Sequence, residues 1–360
     1  MSELRQGFTT GSAAAAAAKA ALLLLLGEKI TSAMDIPLPE EGRLVVPLAR
    51  QEREGEAVRV TVVKDAGDDP DVTHGAEIQA LVSFLPGQEA LCVDLDGGRG
   101  VGRSTLPGLA VQVGRAAINP GPQMQIEKAV REAAGDRCGT VRVLVEVPDG
   151  TRLAEKTMNP RLGIVGGISI LGSHGIVRPY SHEAWTASVD QALEVARAAG
   201  LDQTVFTTGR KSERLYLELY PDTPAQALVQ AADLFAHACA SATQRGFRHI
   251  GWSLFFGKLV KQAQSFANTH AGAARIDFAL LARWCAECGA GSDIVRQATQ
   301  ANTAREVLGL LKPGPVRQDL LRLLAARASA NVAAFAPGAQ TTYAVFDFDG
   351  TLLFCSDTMA

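Results

Sequence analysis

The chain has 360 residues, 47% of them hydrophobic, which suits two packed units better than one. Thirty-five basic residues stand against 38 acidic ones, and the formal charge of -3 gives no electrostatic footprint for a nucleic acid or an anionic membrane surface. Six cysteines without framework spacing argue against a disulfide scaffold and read as free thiols of a cytoplasmic protein.

The alanine–leucine run over 13–26 is interrupted by Lys19, is too short to span a bilayer and lacks a small-residue cleavage pattern, so it reads as a buried helix. Strand-like alternation follows over 44–47 and 57–63. Helical spacing covers 73–84, and a further strand covers 90–95. A helix over 126–134 and a strand over 140–147 complete an α+β pattern. The glycine-rich, weakly periodic stretch over 148–179 holds the domain junction toward its end, giving an N-terminal α+β domain over 1–182.

Beyond the junction the order is helix 184–199, strand 204–208, helix 224–244, strand 249–256 and a helix from Lys258. This alternation predicts a Rossmann-like α/β domain with a parallel sheet over 183–360. Helices near 276–288, 293–311 and 316–333 lead to a last strand over 342–348, whose tail returns to a sheet. Cys285 and Cys288 form a C-x-x-C on the first of these helices. With no second pair or close histidine, they read as a buried helical face rather than a zinc or redox site.

Several segments carry candidate chemistry. Gly7-Phe8-Thr9-Thr10-Gly11-Ser12 precedes the alanine helix, where hydroxyls and backbone N–H groups suit either a docked anion or an ordinary helix cap. Lys64-Asp65-Ala66-Gly67-Asp68-Asp69-Pro70-Asp71 packs four carboxylates beside one ammonium. Such a loop can hold a metal, bond ribose hydroxyls, stabilise a sulfonium, or simply form a solvated acidic turn. Gly98-Arg99-Gly100-Val101-Gly102 imitates a dinucleotide fingerprint, but no helix follows it, so it reads as a glycine turn or a loop against a ligand.

The run 156–172 couples Lys156, Asn159 and Arg161 to glycines that permit close backbone approach, and Arg161 offers a planar fork for carboxylates. Gly257-Lys258 opens a helix directly after a strand, the ligand-facing edge of a doubly wound sheet, with Asn268-Thr269-His270 a little further on. Asp347 and Asp349 imitate the first motif of haloacid-dehalogenase-type phosphatases. Only 11 residues follow Asp349, so the match reads as a terminal strand and turn.

In their order, the Gly7-to-Gly11 turn, the block over 62–73, Ile118-Asn119-Pro120 and the run 156–172 resemble the cobalt-precorrin-5B C(1)-methyltransferase family, CbiD, across nearly the whole chain. Departures from that pattern are Ser12 for cysteine, Gln123 for arginine, Phe255-Phe256 for a His-Ile pair, and Ala271 and Arg275 for serine and aspartate.

The resemblance implies transfer of a methyl group from S-adenosylmethionine to carbon 1 of a cobalt corrinoid in anaerobic cobalamin biosynthesis, giving cobalt-precorrin-6A. Cobalt would arrive inside the substrate, with no protein-bound metal. Such an in-line displacement needs near-attack positioning more than a strong protein nucleophile.

On this reading the corrinoid-binding candidates are Thr9, Thr10, Lys64, Asn119, Lys156, Asn159, Arg161 and Ser169. The donor-binding candidates are Asp68, Asp71, Gly209, Gly257, Lys258 and Thr269, and the catalytic candidates are Asp68, Asp69 and His270. The expected partners are the corrinoid and the methyl donor, without nucleic acid or membrane, and a homo-oligomer is left open. The rival readings are a non-catalytic carrier of corrinoid intermediates and a phosphatase using Asp347 and Asp349.

Overall fold

In the computed structural model, which describes residues 4–356, the chain divides into two units, Met1–Ser181 and His182–Ala360. The first runs through β1 (Gly7–Phe8), α1 (Thr10–Leu25), β2 (Ala33–Pro37), β3 (Arg43–Pro47), β4 (Arg50–Glu54), β5 (Ala57–Val63), β6 (Glu77–Pro86) and β7 (Cys92–Gly97). It continues with β8 (Arg103–Ser104), α2 (Pro120–Ala134), β9 (Gly139–Glu146), α3 (Gly150–Ala154), β10 (Ile164–Val165) and β11 (Ile176–Val177).

Helix α1 is the buried alanine helix expected from its composition. Ala13 to Ala18 are fully buried, and their single methyl groups let the helix lie close to α2 and to strands β5 and β6. The sheet beneath has the order β4–β5–β6–β9–β7, antiparallel except for the β7–β9 pair, while β2 and β3 form a separate hairpin.

One expectation is overturned here. Residues 73–84, read as a helix, supply the central strand β6, paired with β5 on one side and β9 on the other. Ile78, Ala80 and Val82 are fully buried in the core, so the apolar period is two. Leu81 between them blurs that alternation into an apparent helical spacing.

The second unit contains α4 (His182–Ala198), β12 (Gln203–Thr207), α5 (Arg210–Leu219), a 3-10 turn (Ala225–Ala227), β13 (Leu228–Gln230), α6 (Phe235–Gln244), β14 (His249–Phe255) and α7 (Phe256–Ala263). Then come α8 (Phe278–Glu287), α9 (Ser292–Gln300), α10 (Ala304–Leu310), α11 (Pro315–Phe335), β15 (Gln340–Phe346) and β16 (Leu352–Cys355). The sheet order is β13–β12–β14–β15–β16, with the first four strands parallel and β16 antiparallel.

Two further expectations need correction. The helix read over 224–244 is a 3-10 turn, strand β13 and then α6. Leu228 and Val229 are buried beside β12, and sheet pairing wins over local helix propensity. The helix read over 293–311 breaks at 301–303, because Thr303 caps α10 by accepting from Glu306 N at 3.1 Å while Glu306 Oε2 accepts from Asn302 N at 2.9 Å.

The chain steps from β12 to β13 on one side and then to β14 on the other. This makes a topological switch at the carboxyl ends of β12 and β14, where ligands of open α/β sheets bind. The Asp347 and Asp349 segment is a hairpin turn between β15 and β16. Asp347 N donates to Thr351 O at 2.9 Å and Asp349 Oδ1 accepts from Thr351 N at 2.8 Å.

Candidate functional site

In the first unit, the extended segment that leads into α1 lies between two of the candidate loops. Phe8 N donates to Asp65 O at 2.8 Å on one side, and Thr9 N donates to Gly175 O at 3.1 Å on the other. Thr10, the next residue, is bonded to Leu171, so the loop over 64–73 and the end of the run 156–172 are brought to one place. A Cβ on Gly7 would collide with the backbone of Ala66, so only glycine lets the strands come this close.

The hydroxyls of this segment are turned inward. Thr9 caps α1 through Ser12 N, and Thr10 Oγ1 accepts from Leu171 N at 2.9 Å while donating to Leu171 O at 3.1 Å. Gly11 N donates to Leu171 O at 3.3 Å. Ser12, one of the departures from the family pattern, donates to Gly175 O at 2.7 Å and accepts from Gln125 Nε2 at 3.0 Å. Both threonines are buried, and their bonds tie α1 to the 171–175 segment.

Each carboxylate of the acidic loop also has a partner. Arg5 binds Asp65 with both ends of its guanidinium, and this hydrogen bonding holds the Asp65 carboxyl down at about 2. Arg5 N donates to Asp68 at 2.7 Å, and Tyr180 N donates to Asp69 at 3.0 Å. Lys64 Nζ donates to Asp71 at 2.5 Å, and Asp71 also accepts from the N–H and hydroxyl of Thr73, both at 2.7 Å. Burial opposes the Asp71 charge, but Lys64 and Thr73 more than offset it and hold the carboxyl below its usual range.

The rest of the run 156–172 packs on the protein's own backbone. A Cβ on Gly100 would overlap Val147 O, and one on Gly167 would overlap Gly100 O, so these glycines serve backbone-to-backbone contact. Asn159 and Ser169 are buried and hydrogen-bonded to each other at 3.3 Å, with Asn159 Nδ2 also donating to Gly167 O at 3.2 Å. Lys156 is exposed and Arg161 half-buried. Asn119 precedes Pro120 at the start of α2 with no cap bond from its side chain. Gln123 donates to Ile118 O at 2.6 Å.

In the second unit, Lys258, Thr269 and Asp233 form one cluster at the carboxyl edge of the parallel sheet. Lys258 pairs with Asp233 and reaches Thr269 O at 3.3 Å, while Thr269 Oγ1 donates to Asp233 at 2.9 Å. Burial, with added repulsion from Lys261, pushes the Lys258 ammonium down to about 8. Gly209 and Gly257 stand at the ends of β12 and β14, on either side of the switch. His270 lies in a local turn, its N donating to Asn268 at 2.8 Å and its Nδ1 accepting from Gly272 N at 3.1 Å. Phe255 stacks on Phe348 with ring centroids 5.0 Å apart.

Sequence reasoning missed Arg5, Tyr180 and Asp233, which match the charges and loops it singled out. Each lies far from its partner along the chain. Within residues 207–213 it singled out Gly209 alone, although a strand followed by Thr-Thr-Gly-Arg-Lys-Ser-Glu carries the signal of a strand–glycine–helix unit. Among the described residues no group of three or more His, Cys, Asp or Glu side chains could hold a metal ion, and no helix is long and apolar enough to cross a membrane.

The CbiD family model matches residues 1–179, and the model of the CbiD C-terminal domain matches residues 268–357. A cobalt-precorrin-5B C(1)-methyltransferase of Nitratidesulfovibrio vulgaris is 49% identical, covering 97% of this chain and 92% of the relative. A relative of the same name from Thermus thermophilus is 46% identical, covering 84% of this chain and 81% of its own. The crystal structure of a cobalamin biosynthesis protein (cbiD) from Archaeoglobus fulgidus is 30% identical and covers 71% of this chain and 78% of its own, with a TM-score of 0.38. Two family matches, one in each unit, and close to half of all positions shared with a relative over nearly the full length lead to one assignment: the chain belongs to the CbiD family.

Proposed function

We infer that the chain methylates carbon 1 of cobalt-precorrin-5B with S-adenosylmethionine as donor, giving cobalt-precorrin-6A in cobalamin biosynthesis. The observation that carries this is the 49% identity to a cobalt-precorrin-5B C(1)-methyltransferase over 97% of the chain. When bound, the donor supplies a sulfonium methyl group open to attack by a carbon nucleophile, so the protein's task is to bind and orient both molecules.

The second unit is read as Rossmann-like on the parallel order β13–β12–β14–β15, and the donor is placed at its carboxyl edge. The residues there fit it. Gly257 lies in the first turn of α7, where glycine weakens a helix, yet the nearest atom to an added Cβ is 3.7 Å away. Its smallness meets no need of the protein's own packing and leaves room for a ligand. Gly209 has equally open space. Lys258 and Thr269, held through Asp233, flank this edge.

In the first unit Arg161 and Lys156 are assigned to the peripheral carboxylates of the corrinoid, with Asn119 beside them in role. Asp68 and Asp69, each anchored by one backbone N–H, steer the macrocycle. Thr9, Thr10, Lys64, Asp71, Asn159 and Ser169 hold the loops in place from inside, which is how they serve the site. A cytoplasmic setting fits the six cysteines, all of them free.

Incubating the protein with cobalt-precorrin-5B and a donor carrying a 13C methyl group tests this reading. NMR is expected to find the label on carbon 1. Label on another carbon, or corrinoid binding without transfer as in a carrier, would overturn it. Arg161→Ala is expected to weaken corrinoid binding about 10-fold or more through lost charge-assisted bonds. Titration showing wild-type affinity and turnover in that variant would remove Arg161 from the site.

A further inference from the structure

We propose that Phe348 and Arg305, backed by Phe255 and Lys211, form a lip at the carboxyl edge of the second unit on which the corrinoid lies, its ring rim against Phe348 and a peripheral carboxylate on Arg305. The proposal rests on the placement of the methyl donor at the same edge.

The lip is assembled from the ends of four elements. Phe255 ends β14 and stands at the N-cap of α7, whose first turn holds Gly257. In the sheet it is aligned with Phe346, which is buried. Phe348, two residues further along, stacks on Phe255 from beyond the strand end, with the ring planes only 10° apart. Lys211, in the first turn of α5, lies 5.8 Å from the centre of the Phe255 ring and donates to Phe348 O. Arg305 of α10 lies 5.9 Å from the centre of the Phe348 ring. Its neighbour Ala304 is what a Cβ added to Gly257 would meet first, at 3.7 Å. The contacts therefore run unbroken from the Gly209 turn, across both rings, to the opening at Gly257.

A single exposed apolar side chain is ordinary on a protein surface. Phe348 differs in its setting: it is held flat on a second aromatic ring and flanked by two cations, at the edge where open α/β sheets bind ligands. Packing on Phe255 accounts for one face of the ring, yet the residue is 57% exposed. The acceptor carbon must come within about 3–3.5 Å of the donor methyl group, so a macrocycle wider than the opening has to rest on this rim.

The charges around the rings separate the two ligands. Arg305 approaches Asp347 only to 3.6 Å, beyond hydrogen-bond length, and among the described residues its guanidinium donates no hydrogen bond. Lys211 is bonded to a neutral carbonyl, and Arg210 adds an exposed cation in the same turn. The acids nearby already have donors. Asp347 accepts from Phe348 N at 2.6 Å, Asp349 from Thr351 N at 2.8 Å, Glu213 from Gln230 at 3.1 Å and Glu306 from Asn302 N at 2.9 Å. An exposed ring beside a guanidinium with free donors matches an apolar macrocycle rimmed by carboxylates. A neutral adenine would use the ring and leave Arg305 without a partner.

Titration of the full chain with three probes tests the lip: cobyrinic acid, whose peripheral carboxylates are free, cobinamide, in which they are amides, and S-adenosylhomocysteine. Arg305→Gln is expected to weaken cobyrinic acid binding by about 10-fold, a lost charge-assisted bond, and to leave cobinamide binding unchanged. Phe348→Ala is expected to weaken both corrinoids by about 10-fold, and Phe348→Tyr, which keeps the ring, to retain their affinity. S-adenosylhomocysteine binds both variants as it binds wild type, which also shows that the edge is folded.

Wild-type affinity for both corrinoids in Arg305→Gln and Phe348→Ala, while the wild-type enzyme transfers methyl, would overturn the lip and keep the function. Loss of S-adenosylhomocysteine in place of the corrinoids would give the ring to adenine, and equal loss of all three probes would make it structural; either overturns the lip. A wild-type chain that binds none of the probes and transfers no methyl would overturn the function and the lip together.

Discussion

Lys64→Met is expected to lower the unfolding free energy of the protein by about 3 kcal/mol, because it strands the Asp71 carboxylate in a mostly buried position. The Lys64 side chain is 1% exposed and that of Asp71 27%, and they meet at 2.5 Å, so water cannot replace the ammonium fully. Urea denaturation measures the loss. A second variant that also replaces Asp71 with leucine should recover much of it, since an ion pair exchanged for apolar side chains of similar volume is often neutral. If the double variant is no more stable than Lys64→Met, the pair does more than match charges.

The same pair sets a pH dependence. The folded Asp71 carboxyl lies below its ordinary value of 3.8, so its contribution to stability is complete above that value and is lost as the pH falls through the folded one. In Lys64→Met the contribution of the ammonium is gone, and only the two Thr73 hydrogen bonds are left to set against burial. The stability gap between wild type and variant is therefore expected to be widest near neutral pH and to narrow below pH 4. A gap independent of pH would contradict the assignment.

Gly100→Ala is expected to destabilise the first unit by about 2–4 kcal/mol, combining a left-handed backbone that alanine resists with overpacking. Gly100 has φ +72, and an added Cβ would overlap the Val147 carbonyl oxygen in a place lined by backbone, which cannot move aside as a side chain can. Gly100 O also accepts from Ile168 N at 3.0 Å, so the strain passes directly into the run 156–172. Circular dichroism melts of the variant give the size of the effect. Gly166→Ala is the control: its φ is +88 with nothing within 4 Å, so it carries the backbone penalty of about 1 kcal/mol alone. Equal losses in the two variants would show that close packing adds nothing at Gly100.

These glycines show where local reading stops. A glycine-rich run announces close approach but does not name what approaches, and here the partner is Val147 and Gly100 backbone, more than 40 residues away in one direction and 60 in the other. The acidic loop behaves the same way. Four carboxylates in eight residues look unpaired along the chain, and only folding brings Arg5 and Tyr180 to them.

The sequence by itself determined the buried alanine helix, most strands of both sheets, the βα alternation of the second half and, through its ordered motifs, the family. All of these rest on local periodicity or on contiguous residues, which survive without coordinates. Only the tertiary structure decided that residues 77–86 are the centre of a sheet, that Lys64 and Asp71 satisfy each other, and that the buried Thr207 hydroxyl has no hydrogen-bond partner among the described residues. The reason is the same in each case: pairing, burial and charge matching are set by groups distant in sequence, and their energies outweigh the local preferences a single segment expresses.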